Sequence, residues 1–349
     1  TRPSGRPMNI RIHMTQGENQ VCVLPSGVRL CFREHGSRDS QPLLLIAGLG
    51  LQLHYWSRHL IERLVSRGFR VIVFDNRDVG RSSFIDLPAP GLLSKLFARR
   101  DPRGYRLEDM AQDACGLLDH LGIARAHVWG MSMGGMIGQC LAAQYPQRVI
   151  SLVSLFSTTG ARNVGQPATS TLWRMARQRV ARDANEAVAN YESIMAHIGP
   201  TRYAMPAEDL RSYAREAWHR GPGVAANDGE SRQIGAIINS GDRTAQLHLI
   251  RAPTLVIHGD VDRMVAPSGG TATASAISGA AFVTLEGIGH YVPDGVVGQL
   301  VPLIERHAGD ALQRAEIASS QDQLSAPTCP AGAPHQASAT LPDERRRHA

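Results

Sequence analysis

Lysine is nearly missing from this chain of 349 residues: all but Lys95 of its 37 basic side chains are arginines. The formal charge is +6, yet Arg2, Arg6 and Arg11 supply three of those charges within the first eleven residues. No basic helix, finger or aromatic stacking module accompanies the remainder, so nucleic acid is not an expected partner. Long apolar runs are missing too. The longest lies around Leu43 to Leu51, far short of the roughly twenty residues a bilayer span needs. No secretory signal is visible, and the expected compartment is the cytoplasm; a start without methionine would also fit a removed leader, and Met8 and Met14 are alternative starts. Cysteine is scarce. Cys22, Cys31, Cys115, Cys140 and Cys329 are odd in number and have no metal-ligand spacing, so neither a metal nor another cofactor is expected. A hairpin turning on Ser26-Gly27 would place Cys22 opposite Cys31, which leaves two readings open: a cross-strand disulfide or two reduced thiols.

What the chain has in quantity is short apolar runs alternating with amphipathic segments. Leu43 to Ile46 precedes Tyr55 to Val65, Phe69 to Phe74 precedes Leu107 to Leu121, and Ala126 to Trp129 precedes Met133 to Ala143, followed by Val149 to Leu155. Runs buried on both faces between helices predict a mostly parallel central sheet flanked by helices. Ahead of them, Val21 to Leu24 and Val28 to Phe32 read as an antiparallel hairpin.

Within this pattern Gly130-Met131-Ser132-Met133-Gly134 follows a strand and opens a helix. At such a turn the serine is held in a strained conformation with its hydroxyl projecting above the sheet, while the glycines keep side chains out of the strand and helix contacts. A hydroxyl is a poor nucleophile near neutral pH, so it needs a base, a carboxylate to hold the base, and donors for a developing oxyanion. The run Thr254 to Ile257 opens into His258-Gly259-Asp260-Val261-Asp262, and Ala281 to Leu285 leads to Glu286-Gly287-Ile288-Gly289-His290. Each candidate falls just past the carboxyl end of a predicted strand, where loops of a parallel sheet converge. His290 is the base of choice because its approach is small and glycine-flanked, whereas His120 and His127 lie on or beside regular elements. Asp260 and Asp262 are two positions apart, and a loop could aim either at His290.

From about Gly27 to His307 the chain resembles the α/β-hydrolase superfamily, with Asp75-Asn76-Arg77-Asp78-Val79-Gly80-Arg81-Ser82-Ser83 matching its Asp-x-Arg-x-x-Gly-x-Ser turn. Phe74 to Ser83, Ala126 to Gly135 and Asp262 to Pro267 are most similar to the esterase group that includes the aclacinomycin methylesterases. The resemblance implies the α/β-hydrolase fold, in which the order serine, acid, histidine is used. Its acid-loop pattern Gly-x-x-Asp-x-x-Val selects Asp262, leaving Asp260 to bond the loop's own amides. It also implies oxyanion donors at the backbone amides of Met133 and of Leu49, the latter in the loop Ala47-Gly48-Leu49-Gly50. This loop lacks the His-Gly-Gly-Gly form of one lipase and esterase branch.

Between Gly160 and about Ala245 strand-like runs give way to helical segments, such as Thr171 to Val180 and Asn185 to His197, broken at Pro167, Pro200, Pro206 and Pro222. The expected organisation is a flexible segment over 1–20, a first core half over 21–159, an inserted helical cap over 160–245, a second core half over 246–307 and a disordered tail over 308–349. In the cap Trp173, Met175, Tyr191, Met195, Tyr203 and Trp218 could line a pocket, although packing between cap helices accounts for each singly. The expected activity is that of a serine carboxylesterase acting on a small-molecule ester. Lactone opening, carbon–carbon cleavage, amide or iminopeptide hydrolysis and perhydrolysis use the same three residues, and a weakly active receptor or scaffold could keep the same fold.

Overall fold

Runs such as Phe69-Arg-Val-Ile-Val-Phe74 and Ala126-His-Val-Trp-Gly-Met131, with every residue buried, can sit only where both faces of a strand are covered. The computed structural model describes residues 17–325 apart from 92, 93, 95 and 96. Its eight strands are β1 (Gln20–Val23), β2 (Arg29–His35), β3 (Gln41–Ile46), β4 (Phe69–Phe74), β5 (Ala126–Met131), β6 (Val149–Leu155), β7 (Thr254–Gly259) and β8 (Ala281–Leu285). They form one sheet in the order β1-β2-β4-β3-β5-β6-β7-β8. The pairs β1–β2 and β2–β4 are antiparallel, and every other pair is parallel.

Helices α1 (Arg58–Ser66), α2 (Leu107–His120) and α3 (Met133–Gln144) connect the first strands. Between β6 and β7 come α4 (Thr169–Arg177), α5 (Ala184–Ile198), α6 (Ala207–Arg220), α7 (Ala226–Ser240) and α8 (Thr244–Leu247), with no strand among the described residues there. The chain closes with α9 (Ser268–Ala276) and α10 (Asp294–Ser325). Side chains alternate across the strands. Leu44, Ile46, Ile72, Phe74 and Val128 therefore pack with α2 and α3 on one face, and Leu43, Leu45, Val71, Val73 and Trp129 pack with α1 and α10 on the other.

Two expectations are corrected. The β1–β2 hairpin joins through Pro25-Ser26-Gly27, but not by the two-residue turn that would set Cys22 opposite Cys31: Leu24 N donates to Val28 O at 2.8 Å, and Gly27 takes φ 83°. The extra residue, held by the one residue type that adopts this conformation freely, shifts the register, so Cys22 faces Leu30 and Cys31 faces Val21. Cys22 enters one core and Cys31 the other. Both are free and buried, as are Cys115 and Cys140. Cys329 lies outside the described residues.

The second correction concerns the tail. Residues 308–325 are helical rather than disordered, continuing α10. Ala308 and Ala311 extend the buried stripe of Val297, Leu300, Val301 and Ile304 at helical spacing. Large apolar residues thin out here, but Ala308, within the core cluster on the α1 face of the sheet, and Ala311 are both buried, and alanine has the highest intrinsic helix propensity. Residues through Leu312 form one compact unit, and the second unit, from Gln313, is helical through Ser325. Of the flexible segment expected over 1–20, residues 1–16 lie outside the described residues, as does the tail beyond 325. Among the described residues no helix is long and apolar enough to cross a membrane.

Candidate active site

β5 runs straight into the turn at Ser132, which adopts φ 55° and ψ −121°. This backbone region costs a non-glycine residue on the order of 1–3 kcal/mol. Its neighbours hold it there. Ser132 N donates to Leu155 O at 2.8 Å, and Ser132 O accepts from Ser157 Oγ at 2.9 Å and Met136 N at 3.1 Å. A Cβ on Gly130 would lie 2.1 Å from Gly134 O, and one on Gly134 would lie 2.0 Å from Ile46 O. The two glycines let strand, turn and helix meet at distances no larger residue allows.

The loops after β7 and β8 are joined to each other. Asp260 N donates to Leu285 O at 3.2 Å, Val261 N to Ile288 O at 3.2 Å, and Gly287 N to the Asp260 carboxylate at 2.7 Å. Asp260 is therefore engaged with backbone across the loops. Asp262 instead approaches His290: its Oδ2 lies 2.7 Å from Nδ1, while its Oδ1 accepts from Met264 N at 2.8 Å and Val265 N at 2.9 Å. Burial works against charge on Asp262, but His290, His258 and the Val265 amide outweigh it and hold the carboxyl well below the usual range. An ionised carboxylate only accepts, so His290 Nδ1 is the donor in this contact. His290 N also donates to Ile198 O at 2.7 Å, which ties the histidine loop to the end of α5.

Ser132 and His290 line one cavity of about 530 Å³, together with Gly48 and Leu49. Met133 opens α3, so its amide is one of those with no intrahelical acceptor. In the loop after β3, Gly50 N is occupied by Gln233 Oε1 at 2.9 Å, whereas Leu49 N has no hydrogen-bond partner among the described residues. The cavity's outer wall comes from the insertion and is largely aromatic and apolar, with Tyr191, Tyr213 and Trp218 facing Tyr55 of the core. Of the large insertion side chains singled out from sequence, Met175, Tyr191, Met195 and Trp218 line it. Trp173 is 58% exposed, and Tyr203 packs toward α10, its hydroxyl accepting from Gln299 Nε2 at 2.7 Å.

Several contributors gave no signal in the sequence. The insertion is anchored by buried ion pairs: Arg220 Nη2 meets Asp75 Oδ2 at 2.8 Å and Arg232 Nη2 meets Asp78 Oδ1 at 2.6 Å. Asp75 also accepts from Leu53 N at 2.7 Å and Arg81 N at 3.0 Å, and Gln233 Nε2 donates to Arg77 O at 2.7 Å. The Asp-x-Arg-x-x-Gly-x-Ser turn is thus the seat of the insertion. His258 is fully buried with Nε2 2.9 Å from Val265 O, and Phe156 places its ring about 6 Å from both His258 and His290. His127, set aside as a base from its strand position, bonds Ser151 Oγ through Nδ1 at 2.8 Å inside the core. Among the described residues no group of three or more histidine, cysteine or acidic side chains could hold a metal ion.

An eight-stranded, mostly parallel sheet with an elbow serine, a carboxylate–histidine pair and a helical insertion at one rim defines a class of hydrolase scaffold. The chain belongs to the α/β-hydrolase fold family, whose model matches residues 41–294. Rhodomycin D methylesterase of Streptomyces peucetius is 30% identical over 303 residues, spanning 78% of this chain and 92% of that protein. A putative carbamate hydrolase of Variovorax paradoxus is 30% identical over 267 residues, spanning 76% and 88%. Among solved structures, a hydrolase from Pseudomonas aeruginosa PA01 superposes with a TM-score of 0.62 at 28% identity, covering 85% of this chain and 99% of that one.

Proposed function

We propose that the chain is a serine carboxylesterase with Ser132 as nucleophile, His290 as general base and acid, and Asp262 as the carboxylate that orients it. The reading rests on the 2.7 Å contact between His290 Nδ1 and Asp262 at the cavity that Ser132 lines. His290 Nε2 removes the Ser132 proton as Oγ attacks the ester carbonyl, and the amides of Leu49 and Met133 stabilise the oxyanion. The proton passes to the departing alcohol. Water, deprotonated by the same imidazole, then attacks the acyl-enzyme and releases the acid. No cofactor takes part.

The aromatic wall formed by Tyr55, Tyr191, Tyr213 and Trp218 supports a flat acid moiety of small to medium size in a cavity of about 530 Å³. Similarity to a methylesterase supports a small alcohol as leaving group. The test is turnover of p-nitrophenyl acetate and of methyl arylalkanoates, with carbamates, lactones and diketones as competing classes. The expected result is ester turnover, fluorophosphonate labelling that depends on Ser132, and loss of at least a thousandfold in kcat in Ser132→Ala. Wild-type turnover by that variant would end the proposal, and a clear preference for carbamates would move the substrate class.

A further inference from the structure

A second, larger cavity of about 940 Å³ lies between α4 and α5, and it shares Gln178, Asn190 and Ile194 with the cavity that Ser132 and His290 line. Its character differs sharply from the inner one. Arg174, Arg177 and Arg179 all face it. None of the three forms an ion pair among the described residues. The single carboxylate on this wall, Glu186, is already bonded by the backbone amide and guanidinium of Arg182. The Arg177 guanidinium lies over the Trp173 ring, 3.1 Å from its centroid, and Trp173 is 58% exposed. Asn190 Nδ2 donates to Arg179 O at 2.9 Å, which fixes the segment following α4 against α5.

Three guanidiniums without a direct ion pair, of which only Arg179 acts on the Glu186 carboxylate, line one wall beside an indole as an excess of positive charge that an anion placed among them offsets. Guanidinium planes match carboxylates in a two-pronged geometry, and an indole face accepts a flat ring. We propose that this outer cavity is a substrate subsite for the far end of the acid moiety, and that it selects acids ending in an aryl carboxylate or a comparable flat anion. Such an acid, esterified at the end held near Ser132, passes Gln178, Asn190 and Ile194 and places its distal charge among Arg174, Arg177 and Arg179. The inference rests on the esterase reading above.

The test uses p-nitrophenyl esters of two matched series, ω-(p-carboxyphenyl)alkanoic and ω-(p-tolyl)alkanoic acids, with linkers of increasing length. Beyond a threshold length the wild-type protein should favour the carboxylate in kcat/KM by about tenfold, as expected for two or three solvent-screened ion pairs. That preference should fall below about twofold in the combined Arg174→Gln, Arg177→Gln, Arg179→Gln variant and in high salt, while p-nitrophenyl acetate turnover is unchanged in the variant. Calorimetric titration with the free acids reads the same subsite without chemistry: the p-carboxyphenyl acid should bind about tenfold tighter than its p-tolyl partner, and only with the arginines present. Equal kcat/KM for the two series at every length, or a preference that survives in the triple variant, overturns the proposal. So does arginine-dependent sedimentation with phosphatidylglycerol vesicles without any carboxylate preference, which would assign the cluster to a lipid surface. Loss of acetate turnover by the wild-type protein strikes at the esterase reading alone, since the titration remains.

Discussion

Replacing Asp262 by asparagine changes few atoms and nearly nothing in shape, so its effect isolates what the carboxylate does. Asp262 Oδ1 accepts two backbone amides, from Met264 and Val265, and Oδ2 faces His290 Nδ1. An asparagine has one oxygen to serve both sides. If its NH2 faced Met264 and Val265, donors would meet two buried donors, at about 1–3 kcal/mol for each group left unpaired. The favoured orientation keeps the oxygen on those amides and points the NH2 at His290. Nδ1 must then accept, the proton moves to Nε2, and on the proposed mechanism the imidazole would meet Ser132 in the form that cannot take its proton. The corresponding substitution in a serine protease triad lowers kcat about ten-thousandfold, equivalent to about 5.5 kcal/mol of transition-state stabilisation.

Expected, therefore, is a fall of about four decades in kcat on p-nitrophenyl acetate for Asp262→Asn, with a thermal midpoint close to that of the wild type. Asp260→Asn is the internal control. That carboxylate accepts Gly287 N at 2.7 Å, a bond an asparagine oxygen can keep, and its loss should stay below about tenfold. Initial rates normalised to the fluorophosphonate-titrated serine separate inactive from misfolded protein. The reverse ranking, with Asp260→Asn the crippled variant, would refute both the tautomer argument and the assignment of Asp262.

Two further predictions concern stability. Arg220→Met leaves Asp75 fully buried without its guanidinium, and breaking such a pair costs about 3–5 kcal/mol; urea unfolding should register it, and a loss under about 1 kcal/mol would mean the pair is hydrated in solution. Burial, with His307 and Arg125 nearby, pushes His127 down to about 4, so between that value and the ~6.5 of an unfolded histidine the unfolded chain binds a proton that the folded chain does not. The associated stability is fully present above about pH 6.5 and is lost as pH falls toward 4, on the order of 3 kcal/mol in all. A His127→Gln variant should show a smaller drop in urea midpoint between pH 7 and 4.5 than the wild type, and an identical drop would contradict the linkage.

What the sequence disclosed follows the range of the interactions involved. Strands β3 to β7 could be read because a run buried on both faces has no other use for consecutive branched residues, and Ser132 because its glycines answer to atoms within a few residues or in the adjacent strand. Pairing of Asp262 rather than Asp260 with His290 was a matter of family likeness. Two loops that cross leave no period to read, and a two-residue offset reverses which carboxylate faces inward. The hairpin was legible, but the placing of Cys22 opposite Cys31 failed for a local reason: three loop residues instead of two move every partner by one. The expectation of disorder over 308–325 failed for a tertiary one, since the small Ala308 and Ala311 gain their role only by burial in the folded chain. Arg220, Arg232 and Gln233 were invisible because their partners lie about 145 to 183 positions away, with nothing periodic connecting them.

Those distant partners determine how the insertion and the reaction chemistry are coupled. Gln233 spans two segments at once: its oxygen holds Gly50 N, one residue past the proposed oxyanion donor Leu49, and its nitrogen holds Arg77 O in the turn after β4. Gln52, two residues further on, bonds Ala217 O and Arg220 from the same insertion. The loop that presents Leu49 is therefore braced by helices α6 and α7 as much as by its own strand. An oxyanion donor is effective only if it is already in place when charge develops, so on the proposed mechanism a helix whose inner face forms the aromatic wall would also set the position of the Leu49 donor. If the proposed reaction holds, selection of the acid moiety and the speed of acyl transfer share one set of buried contacts, and a substrate that forces α6 or α7 outward disturbs the loop that presents Leu49 along with its own binding.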